Sequence, residues 1–144
     1  MTSRIDIQKL SPDAYKAMFG LENYLNQSSL SQESKGLIKI RASILNDCQY
    51  CLHMHIPATL SAGLSQKKID ALNEWQSSRL FDEQERAILA LTDEITHISK
   101  QGVSDSVYRL ALSQLGEEHL AQCIMQITTI NAWNRIAVST ALSA

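Results

Sequence analysis

Two of the three cysteines and two of the four histidines fall within eight residues, Cys48-Gln49-Tyr50-Cys51-Leu52-His53-Met54-His55. Cysteines three positions apart can interconvert between dithiol and disulfide, and an imidazole beside them can take up the thiol proton or stabilise the thiolate. On a helix advancing ~100° per residue, Cys51 lies at about 300° and His55 at about 340° from Cys48, so the three side chains share one face. His53 falls near 140°, on the far side. An Asp47 cap would leave Cys48 and Cys51 in the first turn, where free N–H groups and the positive end of the helix dipole stabilise a thiolate. The dipole and exposure favour Cys48 as the attacking sulfur. The i,i+4 relation to His55 favours Cys51, and the residues leave both open.

Cysteine is often simply a packed core residue, but two at redox spacing with a histidine on the same face weigh against that here. Cys123, isolated on an apolar stretch, is assigned to packing. A zinc site is the chemical rival, because His119 or Cys123 could join Cys48, Cys51 and His55. Structural zinc usually ties together loops in chains with little core, so no metal and no cofactor is assigned. A thioredoxin-like arrangement needs a strand before the motif, and no segment reads as one.

Helices are expected throughout, since two prolines and five glycines are the main breaks and apolar residues recur at three and four. Ser11-Pro12-Asp13 opens a helix through Met18, Leu21 and Leu25 to about residue 27. A second runs over about 31–45 and stops at Asn46-Asp47. The cysteine helix follows over about 48–63, bent or broken at Pro57. A short helix covers about 65–75, and the capping-box spacing from Asp82 to Glu85 starts another that Gly102 closes. Residues 105–114 and 117–142 flank a break at Gly116. The last segment carries Leu120, Ile124, Ile127, Ile130, Trp133 and Ile136 on more than one face, so it is central or an oligomer interface. The expected architecture is an all-α bundle of about seven helices with the CxxC motif at a helix N-terminus, one domain over residues 1–144.

A chain of 144 residues buries roughly 70% of its unfolded surface and needs no staple. A net charge of −2 from 13 basic and 15 acidic residues gives no basic face for nucleic acid or an anionic membrane. Residues 120–134 are uncharged but fall short of the ~20 apolar residues of a membrane span. Met1-Thr2-Ser3-Arg4-Ile5-Asp6 has no apolar signal core, which points to a cytoplasmic, reducing setting.

Leu37-Ile38-Lys39-Ile40-Arg41-Ala42-Ser43, Asn46-Asp47-Cys48-Gln49-Tyr50-Cys51, Met54-His55, the stretch from Leu80-Phe81 to Arg86-Ala87, and Ile130-Asn131-Ala132-Trp133-Asn134-Arg135 together resemble the alkylhydroperoxidase D branch of the carboxymuconolactone decarboxylase superfamily. The resemblance spans roughly residues 15–140. It implies an all-helical fold, trimers or hexamers, and thiol-dependent reduction of a peroxide substrate in antioxidant defence. The reductant would be a dithiol such as dihydrolipoamide or a thioredoxin-like protein. It further implies that Cys51 attacks the peroxide, that Cys48 resolves the sulfenic acid into a Cys48–Cys51 disulfide, and that His55 relays protons. The family's relay glutamate stands twelve residues before the first cysteine, and here that position is Gly36. Glu33, Glu83 and Glu85 are alternative acids. A histidine common before the second cysteine is here Tyr50. The superfamily's lactone decarboxylases generally lack the cysteine pair, which argues against that reaction. A non-catalytic, oligomeric redox-sensing module is the alternative from another class.

Overall fold

The structure, a computed structural model, describes residues 3–143. Its elements are α1 (Ile7–Leu10), α2 (Pro12–Asn26), α3 (Gln32–Leu45), α4 (Gln49–Ser61), α5 (Gln66–Ala71), a 3-10 turn (Leu72–Ser77), α6 (Glu83–Thr96), α7 (Ile98–Gln101) and α8 (Asp105–Ser139). No strand occurs among the described residues. Pro12 stands at the first helical position of α2, and Ser31 caps α3 by accepting the Ser34 N–H. Asp82 and Glu85 form the expected reciprocal capping box at the start of α6.

Helix α8 runs through the middle, packing on α6 and α3 and more lightly on α2 and α4. Between α3, α6 and α8 lies the larger apolar core, with Ile38, Ala42, Ile88, Leu91, Leu120, Ile127 and Ile130. A second core under α5 and the 3-10 turn gathers Leu37, Ile40, Leu72, Trp75, Phe81 and Leu89. At its edge Arg41 grips Asp93 with two bonds of 2.8 and 3.1 Å, and the Trp75 indole N–H donates to the same carboxylate at 3.1 Å.

Three local expectations are corrected, and the one at Pro57 is narrowed to a helix without a break. The helix over 82–102 divides at His97, where Glu94 reaches forward to accept the Ser104 N–H at 2.7 Å and pins the turn into α8. The short helix over 65–75 gives way to a 3-10 turn from Leu72. Helix α4 continues through Pro57. Pro57 and His53, the residue whose carbonyl loses its N–H partner, are both exposed, so water can satisfy that oxygen. Finally, Asp47 does not cap α4. It takes up the left-handed turn after α3 (φ 48°), which an aspartate tolerates, and Cys48 becomes the N-cap. Gly116 does interrupt α8 as expected, at φ 81° and ψ 168°.

Candidate active site

The turn that delivers the cysteines is held from behind by buried amides. The Asn46 amide donates to Asn131 Oδ1 and Asn134 Oδ1, both at 2.9 Å, and Asn134 Nδ2 donates to Ser43 Oγ at 3.1 Å. The Cys48 N–H then bonds the Ser43 carbonyl at 2.9 Å. Each buried polar group in this set is partnered, which makes one orientation of the turn far better than its alternatives.

Cys48 Sγ accepts the Cys51 N–H at 3.3 Å, and the two sulfurs are joined as a disulfide with Cα atoms 5.3 Å apart. The sulfur thus sits where a serine or aspartate usually caps a helix, among N–H groups that favour negative charge. Both cysteines are buried, against Ala137 and Tyr50. They differ in outlook. Cys51 lines a cavity of about 330 Å³ together with His55, one turn further along α4, whereas Cys48 is not among its walls. His53 is exposed on the other side.

Burial first, and the ammonium of nearby Lys39 second, push the His55 imidazole from its ordinary 6.5 down to about 4. It is neutral at pH 7, able to accept a proton but offering a thiolate no positive charge. Most of the remaining walls come from α2 and α8, with Gln8 of α1, Tyr50 and Met54 of α4 and Leu142 completing them. Tyr15 and Phe19 of α2 stack edge-on at 6.0 Å between centroids, and Trp133 of α8 completes the cluster at 5.4 Å from Tyr15. The Trp133 indole N–H donates to Glu22 Oε1 at 2.9 Å, so a carboxylate stands in an otherwise mostly apolar cavity.

Glu22, Tyr15, Phe19 and Trp133 were not among the sequence-derived site residues. The available signal was the i, i+4, i+7 stripe Tyr15, Phe19, Glu22, adjacent on α2 to the Leu25 face that enters the core.

Position 36 is closed to any side chain. A Cβ on Gly36 would run into Thr59 Cγ2 and lie 2.7 Å from Thr59 Oγ1. Thr59 is buried and fixed by donating its hydroxyl to the His55 carbonyl at 2.8 Å, so it has little room to yield. The glycine is therefore the price of a close α3–α4 approach. Of the other acids considered, Glu85 is paired with Lys68 at 2.7 Å, Glu83 takes the Gln114 amide at 3.5 Å, and Glu33 lies near Gly63 beyond the far end of α4. None lines the cavity.

Cys123 sits in the main core, fully buried, and burial pushes its thiol up to about 12. His119 Nε2 pairs with Ser29 Oγ at 2.9 Å. Among the described residues no three of His, Cys, Asp or Glu come together as metal ligands, and no helix is long and apolar enough to cross a membrane.

Residues 12–94 match the model of the Carboxymuconolactone decarboxylase family. The uncharacterized protein YdfG of Bacillus subtilis is 32% identical over 139 residues, 96% of this chain and 95% of its own. The crystal structure of a protein of unknown function from Agrobacterium tumefaciens, described as a candidate antioxidant defence protein AhpD, is 37% identical with a TM-score of 0.95, covering 99% of this chain and 97% of that one. An uncharacterized peroxidase-related protein from Silicibacter shares the fold, with a TM-score of 0.79 at 21% identity over 89% of this chain and 68% of that one.

Proposed function

The chain belongs to the carboxymuconolactone decarboxylase family, and on that footing we propose that it is a thiol-dependent peroxidase or disulfide reductase of the alkylhydroperoxidase D kind, acting in antioxidant defence. One observation carries the reading: Cys51 and His55 open into the same cavity, with Cys48 behind them at bonding distance from Cys51. The antioxidant description of the Agrobacterium relative supports it.

In this scheme His55 takes the Cys51 proton and the thiolate attacks the terminal peroxide oxygen. The S–O bond forms as the O–O bond breaks, leaving a Cys51 sulfenic acid and an alcohol. The Cys48 thiol then displaces water to give the Cys48–Cys51 disulfide, and an external dithiol such as dihydrolipoamide, or a thioredoxin-like protein, returns both to thiols. The setting is a reducing cytoplasm and the assembly a trimer or hexamer. Position 36 favours a second reading, a redox-sensing module that forms the same disulfide without turnover, because the family's relay carboxylate has no room there.

Steady-state peroxide consumption with a dithiol donor separates the two. Cys51→Ser should abolish turnover, and Cys48→Ser should let a sulfenic acid accumulate that dimedone traps and mass spectrometry locates at Cys51. Turnover unchanged in both variants would end the proposal.

A further inference from the structure

Peroxide cleavage needs a proton in two places. It must leave the thiol, and it must arrive on the departing oxygen, which lies on the far side of the attacked atom from the sulfur because displacement is in line. His55 shares α4 with Cys51 and serves the sulfur end. The oxygen end points into the cavity, where α2 supplies a carboxylate. We propose that Glu22 is the proton-transferring acid at that end of the site, a role that rests on the peroxidase reading above.

Three observations carry this. Glu22 lines the cavity with Cys51 and His55, while Glu33, Glu83 and Glu85 do not. Its Oε1 is fixed by the Trp133 indole N–H at 2.9 Å, and Trp133 is itself braced by Tyr15 and Phe19. Oε2 has no hydrogen-bond partner among the described residues and is free to meet a ligand.

The step balances as follows. The Cys51 thiolate attacks the terminal oxygen of R–O–O–H, forming S–O and breaking O–O, so that sulfur is oxidised by two electrons and the peroxide is reduced to the alkoxide. The proton shed by the thiol passes through His55 to Glu22, and Glu22 delivers it to the alkoxide, ending as a carboxylate.

Glu22→Gln keeps an oxygen to accept the Trp133 N–H but cannot shuttle a proton. The pre-reduced wild type and variant are mixed with two oxidants, and single-turnover loss of the Cys51 thiol is followed. tert-Butyl hydroperoxide leaves as a strongly basic alkoxide that needs a proton, whereas peracetic acid leaves as acetate and needs none. The variant should slow by about a hundredfold with the first oxidant and by less than about threefold with the second. Equal loss with both oxidants, as a misfolded or merely distorted site would give, overturns the role of Glu22, as does no loss with either. A wild type inert to both oxidants overturns the peroxidase reading and this inference together, whereas a reactive wild type with an unaffected variant removes Glu22 alone.

Discussion

Cys51 and Cys123 are nearly equally hidden, 3% and 0% exposed, yet their surroundings are opposite. Cys51 stands in the first turn of α4 with free helix N–H groups around the sulfurs, a histidine one turn away and a cavity in front. Cys123 is in the middle of α8, its N–H and C=O groups spent within the helix, with Leu120, Ile127 and Leu91 in the same apolar cluster. Burial alone therefore does not decide what a thiol does. A helix terminus and an open volume set one sulfur among groups that favour its thiolate, while a closed apolar shell favours the protonated form of the other.

The contrast is broken most easily by its largest consequence. After reduction of the disulfide, iodoacetamide at pH 7 should modify Cys51 on the order of a thousandfold faster than Cys123, which reacts only on unfolding. Comparable rates in native protein, read by peptide mass spectrometry, would remove the distinction.

Stability should show the reverse order. Cys123→Ser places a hydroxyl in a closed apolar shell and should cost about 2 kcal/mol in urea unfolding while leaving peroxide turnover intact. Cys51→Ser, compared with the reduced wild type, should cost less than half as much, because its side chain faces a cavity that admits solvent.

A pH-dependent effect sharpens the Cys51 side alone. His55 is held to about 4 in the fold against an ordinary 6.5. Between those values the unfolded chain binds a proton that the folded chain refuses, so His55's contribution is whole above pH 6.5 and diminishes as pH falls toward 4. His55→Gln should flatten the fall of the thermal midpoint across that window. An unchanged pH profile would mean that His55 is already open to protonation in the fold.

Legibility followed the range of the interactions involved. The pairing of Cys51 with His55 was readable because a shared face depends on spacing along one helix, whereas Cys48 stands just outside that helix as its N-cap. The capping box at Asp82 and the break at Gly116 were readable for the same local reason. That Cys48 and not Asp47 caps α4 was not, because the cap belongs to whichever residue the Ser43–Cys48 hydrogen bond brings into place, and Ser43 is set by Asn134, 91 residues away. Pro57 was read as a bend or a break, and the exposure of His53 and Pro57 that lets the helix continue depends on which face α4 turns to its neighbours.

The amino-acid order by itself determined that the chain is helical, that its two close cysteines stand at a helix start, and that His55 follows them on the same face. Tertiary structure decided what stands opposite them. Glu22 and Trp133 meet across 111 residues, and Thr59 closes position 36 only because α3 and α4 pack without a side chain between them. Those outcomes depend on how helices cross, and periodicity within one helix carries no record of that.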